Sequence, residues 1–445
     1  KETLNHLGGE FNAEEHLVAQ AKNINVASRT GETKDTGNFY RKSLSQQASI
    51  SVGGTDEAGK AQKVTALLLA TENITVKGAN LNVQGEAALQ AGGQLNLGTV
   101  ETQNKEHYVP DADNYYKLDQ KQEIGNQFNV SGDVDLTGKS AVEMRGVSVH
   151  SEGVVNVQSE GDIHIQAARN QEQLASASKI KSRGLVSSTT ERIRHHHHDD
   201  LAEASNLDAN QIHLHSTNGN VTVQGSNVVA ENGLTVQAKN IEIKEAENRV
   251  YRDDFYSKQK SGMLGGGIGV TFGSQKQTTE ADQTKLYASG SQVGSLNGNT
   301  TMIAEQGYTQ TASAVTAVKG DVNILAQKAD IQSADDKYET NTKQTFEQKG
   351  LTIAITSPIL STLQAVQNTV KSAKTVGESQ SNRINAMSAM NAGFEGLRAV
   401  EAGSMVAEAM KDGVAQGASS GIGVSITYGQ QKSVQTQHSE GNSVE

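Results

Sequence analysis

The stretch GNVTVQGSNVVAENGLTVQAKNIEIK, residues 219–244, carries the fold in its spacing. Val221/Val223, Leu234/Val236 and Ile241/Ile243 each bracket one polar residue: Thr222, Thr235 and Glu242. Successive side chains of a strand point to opposite faces, so each triplet sends two apolar groups inward and one polar group outward. The starts at Val221, Val228, Leu234 and Ile241 fall about seven residues apart, with Gly or Asn between them. Three such strands make a coil of roughly twenty residues, the period of a parallel β-helix.

The same triplet recurs at Ile24/Val26, Ile74/Val76, Leu81/Val83, Leu95/Leu97, Val134/Leu136, Val147/Val149, Val155/Val157, Ile163/Ile165, Ile212/Leu214 and Val322/Ile324. A stacked solenoid needs only a narrow apolar column. That accounts for a composition of 35% apolar and 4% aromatic residues without tryptophan, too lean to fill a globular core of 445 residues. Disorder would share the low hydrophobicity but not the β-branched alternation, nor a content of only two prolines, Pro110 and Pro358.

Net charge is −11, with Lys and Arg scattered evenly, so no basic face is offered to nucleic acid. The absence of cysteine excludes a disulfide scaffold and thiolate metal sites, and suits a chain that crosses membranes unfolded. The sequence starts at Lys1 without a signal peptide and contains no apolar run that would span a bilayer; it reads as a piece of a longer polypeptide.

Longer similarities lie above the coil. Gln20-Ala21-Lys22-Asn23-Ile24 recurs as Gln237-Ala238-Lys239-Asn240-Ile241, followed at nearly equal distances by Phe39-Tyr40 and Phe255-Tyr256. ISVGG at 50–54 and VTFGS at 270–274 are expected to close the two units. The module has three parts: coils such as Leu234 to Ile243, a charged arm going out over Arg249 to Lys260, and a Gly-rich arm coming back over Gly265 to Gly273. Glycine before Asn or Asp at Gly132, Gly161, Gly219 and Gly320 marks coil starts.

Coils of the GNVTV and GDVNI type, alternating with polar excursions that end in GGGIGVTFGSQK and GIGVSITYGQQK, resemble the haemagglutinin-repeat region of two-partner-secreted exoproteins. That family comprises the filamentous haemagglutinins and the effectors of contact-dependent growth inhibition in Gram-negative bacteria. The likeness covers nearly the whole chain, without the family's amino-terminal secretion domain or carboxy-terminal toxin domain. It implies a surface filament exported through an outer-membrane two-partner transporter, and a role in adhesion or in toxin delivery. The implied partners are that transporter and a target-cell receptor or outer membrane, with no small-molecule substrate.

Residues 351–420 depart from the coil pattern. LTIAITSP reads as an outgoing strand stopped by Pro358; Ile359, Leu363, Val366, Val370 and Ala373 then follow helical spacing, and Met387, Met390, Phe394 and Leu397 mark a second helix. Gly421 to Gly429 resembles the return arm around Ile268. Leu351 to Val370 lacks charge, but Pro358 and its many polar residues favour packing over a membrane.

Among candidate sites, Gly265-Gly266-Gly267-Ile268-Gly269 fails as a phosphate loop, because strand-like Val270-Thr271-Phe272 follows where a helix is required. His195, His196, His197 and His198 are the only cluster with metal-ligand chemistry; on a strand His195 and His197 would share a face. A solvated polar run is the plainer reading of them. No GGxGxD tandem for calcium occurs. Asp253-Asp254 could form a carboxylate pair, yet an exposed face meeting a partner explains them as well.

The expectation is therefore an all-β, right-handed parallel β-helix with hairpin excursions and a helical insertion near the C-terminus. It divides into a repeat solenoid at 1–350, strand plus helices at 351–420, and a return strand with polar tail at 421–445. No catalytic or cofactor-binding residue is assigned. The function expected is that of a non-catalytic segment of a secreted or cell-surface filament; the alternative is a β-helix enzyme of the polysaccharide lyase kind, which would use a long groove.

Overall fold

The computed structural model describes residues 2–35, 37–53, 64–184, 187–266, 269–356 and 423–444. They form two β systems: a 24-stranded parallel sheet wound into a solenoid, and a 10-stranded antiparallel sheet standing on it. The expected helices between Ile359 and the residues before Gly421 lie outside the described residues.

The solenoid has three columns of short strands. The first runs through Asn23–Ala27, Ile74–Lys77, Gln94–Gly98, Ala141–Arg145, Asp162–Gln166 and Asn220–Gln224, the second through Ala48–Val52, Asn80–Val83, Gln127–Val130 and Ser148–Ser151, and the third through His16–Ala21, Thr65–Ala70, Glu86–Ala91, Val134–Gly138 and Val154–Ser159. Within the first column Ile24, Ile74, Leu95, Val142, Ile163, Val221, Ile241 and Tyr308 stack as successive register partners. All eight are 0–1% exposed. Burying an aliphatic side chain this fully contributes about 1.5–3 kcal/mol, so a column one residue wide stabilises each turn. The intervening polar residues stack on the outside: Asn25 donates to Asn5 at 2.8 Å, Asn129 to Asn82 at 3.0 Å, and Asn240 to Asn220 at 2.7 Å.

Turns alternate in length. Leu4 to Ile24, Ile74 to Leu95, Val142 to Ile163, Val221 to Ile241 and Tyr308 to Ala329 are steps of 20 or 21 residues. The turns between them take 47 to 67, as in Leu95 to Val142 and Ile241 to Tyr308. The excess is always an arm leaving the same corner, between the first and second columns. The first arm is Arg29–Lys34 with Phe39–Gln46, the second Val100–Tyr108 with Tyr115–Ile124, and the third Ala168–Arg183 with Ser187–Glu203. The fourth is Ala246–Gly266 with Gly269–Ser289, and the fifth Asp335–Thr356 with Gly423–Val444.

The alternation follows from strand thickness. Hydrogen-bonded strands lie about 4.7–4.9 Å apart, so two turns of a solenoid and the two strands of one hairpin occupy the same length, about 9.6 Å. One arm on every second turn therefore lets neighbouring arms meet at hydrogen-bonding distance. They do: the first arm pairs with the second, and so on through the fifth, as one antiparallel sheet.

The corner chemistry alternates too. Bare turns pass it on Gly8, Gly78, Gly146 and Gly225 at φ +71, +61, +62 and +56°, and on Ala312 at +40°. A Cβ on Gly225 would sit 2.4 Å from the Ala246 Cβ at the root of the next arm, so this corner needs glycine for space as well as for its left-handed backbone. Armed turns instead place a buried polar residue there. Asn126 donates to Val76 O at 3.1 Å and Gly98 O at 2.9 Å while accepting from Ala79 N. Ser205 donates to Gln166 O at 2.7 Å and Ser291 to Lys244 O at 2.7 Å. These bonds satisfy backbone groups that lose their ladder partners where an arm departs.

Two expected equivalences separate. Gln20–Ile24 and Gln237–Ile241 do occupy the same place, crossing from the third column into an arm-bearing turn. Ala48–Val52, however, is a coil strand, whereas Val270 to Ser274 lies inside an arm. Phe39 opens a returning strand, whereas Phe255 sits in an outgoing one. The Gly-rich stretch is also divided: Gly265 and Gly266 still belong to the outgoing strand and Gly269 begins the return.

Candidate functional site

The arms are rich in charged residues and, among the described residues, contribute none to the solenoid's core cluster. Their order comes from ladders and cross-strand pairs. Arg252 donates to Asp199 through both terminal nitrogens, one of them at 2.6 Å, and Lys258 pairs with Glu191. Asp199 holds the Arg252 guanidinium above its usual range.

The histidine run lies in the returning strand of the third arm, paired on one side to Ala168–Arg183 and on the other to the outgoing strand of the fourth arm. Strand alternation splits it. His195 and His197 share one face, with ring centroids 5.7 Å apart. Asp254, register partner of His195, lies on that face: its Oδ1 is 2.6 Å from His195 Nδ1 and 3.1 Å from His197 Nε2. Partial burial pushes the Asp254 carboxyl up, but the bonds from the two imidazoles outweigh it and leave the group below the ordinary range.

The opposite face differs. His196 Nε2 lies 3.2 Å from the Tyr115 hydroxyl, and its Nδ1 is 3.7 Å from Asp253, which also meets Arg194 at 3.5 Å. His196, His197 and His198 line a shallow depression with His107, Lys117 and Tyr251. Asp253 and Asp254 thus fall on opposite sides of one sheet and do not form the carboxylate pair needed for joint acid–base chemistry.

His195, His197 and Asp254 bring one ligand atom each to within 4.8 Å of one another. The sequence marked the histidines as possible metal ligands and Asp254 only as half of a carboxylate pair with Asp253. The partnership of Asp254 with the histidines depends on a register between two arms that nothing local announces. Glu339, His438 and Glu440 form a second such group, all exposed, with His438 and Glu440 on the outermost strand of the antiparallel sheet and Glu339 on the strand next to it.

Comparison with known proteins gives the family. The haemagglutinin-repeat family model matches residues 111–194 and 186–346, from the second arm to the outgoing strand of the fifth. A protein described as toxin CdiA of Yersinia pestis is 33% identical over 236 residues, 52% of this chain and 7% of that protein. A deoxyribonuclease CdiA of Yersinia pseudotuberculosis is 33% identical over 230 residues, 51% of this chain and 20% of that protein. A tRNA nuclease CdiA of Escherichia coli is 31% identical over 273 residues, 60% of this chain and 8% of that protein. The chain spans a fifth or less of the length of these relatives. No solved structure matches. By sequence match and by repeat architecture, the chain belongs to the haemagglutinin-repeat family.

Proposed function

We propose that the chain is a non-catalytic segment of a secreted Gram-negative exoprotein, displayed at the cell surface, that carries a toxin to a neighbouring cell in contact-dependent growth inhibition. One observation carries this reading: half or more of the chain is shared, at 31–33% identity, with each of two relatives described as a deoxyribonuclease and as a tRNA nuclease. Relatives that cut different nucleic acids differ in their chemistry, so what they share with this chain is read as the carrier. Export would run through a two-partner outer-membrane transporter, as the family resemblance implies.

The far ends of the fourth and fifth arms favour delivery over adhesion alone. Gly262, Gly273, Gly350 and Gly429 are successive register partners, forming a row across four strands. Beyond this row charge disappears and register rows alternate in kind. Phe272, Leu351 and Tyr428 share one row and Val270, Ile353 and Ile426 another; between them run Thr271, Thr352 and Thr427. An uncharged sheet end whose register rows carry Phe, Leu, Val and Ile suits contact with an apolar surface such as the target's outer membrane.

The test fuses this chain within its exoprotein to exchanged terminal toxins. Toxin identity is expected to set which nucleic acid is cut in target cells, while replacing residues 263–272 and 423–428 by Ser/Gly sequence abolishes killing without loss of surface display. Depolymerisation of a surface polysaccharide by the purified chain would overturn the carrier reading in favour of a lyase.

A further inference from the structure

We propose that His195, His197 and Asp254 form a binding site for a divalent transition-metal ion of zinc's class, which pins the third arm to the fourth. Neutral imidazole nitrogen and carboxylate oxygen are the donors such ions take. His195 and His197 come from one strand and Asp254 from its neighbour, so one ion bridges two arms. Zinc bonds to nitrogen and oxygen run about 2.0–2.2 Å, which sets tetrahedral ligand atoms about 3.4 Å apart. Asp254 Oδ1 stands 2.6 and 3.1 Å from the two nitrogens, and all three atoms lie within 4.8 Å. Side-chain shifts of about 1 Å suffice to open the cluster around an ion, with the strand register unchanged. Each neutral imidazole then carries its proton on the nitrogen turned away from the ion.

Charge and access agree with this. The three side chains are 43, 27 and 43% exposed, leaving the remaining coordination position to water. Arg252, register partner of His197, is the nearby cation, and its guanidinium is taken by Asp199. His196 and His198 alternate onto the other face of the strand, where His196 meets the Tyr115 hydroxyl. The proposal therefore assigns binding to alternate histidines, where a generic histidine run would bind through any of them.

Calorimetric titration of the whole chain with Zn²⁺ decides it. One saturable equivalent is expected for the natural chain. The double variant His195→Gln/His197→Gln should lose it, and Asp254→Asn should weaken it about tenfold or more, the scale seen when a metal site's supporting partner is removed. His196→Gln/His198→Gln should bind as the natural chain does. Amide exchange over 249–262 without metal checks that Asp254→Asn keeps its pairing; with Zn²⁺ added, protection there should rise in the natural chain and not in His195→Gln/His197→Gln. No saturable binding by the natural chain, or equal loss in the two histidine double variants, overturns the proposal.

Discussion

The solenoid and the antiparallel sheet are both built from β-strands, yet they are held by different forces. Solenoid turns stack aliphatic side chains at 0–1% exposure in a dry column. The arms are a single layer joined by backbone ladders and by exposed ion pairs such as Lys343–Glu280. Exposed pairs of this kind contribute about 0.2–1 kcal/mol each, well below one buried aliphatic residue. The solenoid is thus the stable base that sets the spacing, and the arms are a long, cheaply altered surface ordered by that spacing.

Truncations should separate the two regions. Ile163→Ala, between Val142 and Val221 in the column, is expected to cost about 2–5 kcal/mol, read as a lower midpoint in chemical denaturation. A cost below that of an exposed substitution would break the contrast. Gly225→Val attacks the junction. It combines a left-handed backbone at φ +56° with the approach to Ala246, and should cost about 1–3 kcal/mol for backbone strain alone. Amide exchange should then rise first at the root of the fourth arm; a rise confined to the solenoid would place the strain elsewhere.

Acid supplies the smallest and most local difference. The hydrogen bond and charge of Lys432 hold the Glu347 carboxyl below its usual range, tying the two strands of the fifth arm. A depressed carboxylate stabilises above its unfolded pKa, and the contribution is lost as pH falls through the folded value. Glu143 on the solenoid is shifted the other way, raised mainly by burial despite His164. Its contribution is present below the unfolded pKa and is lost as pH rises through the folded value. Lowering pH through the carboxylate range should therefore loosen exchange at 335–356 without loosening 141–145; the opposite order would contradict the assignment.

The legibility of the sequence divides along the same line. Val221/Val223 and Ile163/Ile165 announce their strands because a half-buried strand must alternate. The described arm residues add nothing to the apolar core, so nothing in their letters fixes a period, and Phe39-Tyr40 could be matched to Phe255-Tyr256 although the two lie on strands of opposite sense. The alternation of bare and armed turns was written at the corners, in Gly78, Gly146 and Gly225 against Asn126, Ser205 and Ser291. It becomes readable only once the turn's backbone conformation is known. Asp254 stood out only beside Asp253; its place with the histidines was out of reach because it depends on inter-arm register alone.

The central claim is that arms on alternate turns meet in one continuous sheet. The chain contains no cysteine, which gives engineered pairs a clean background. Leu118 of the second arm and Leu174 of the third are register partners. Cysteines at these two positions should form a disulfide under mild oxidation, while Leu118 paired with Ser178, further along the same strand, should not. Failure of the 118–174 pair to close, or equal closure of both pairs, would contradict a registered sheet and with it the account of why the turns alternate.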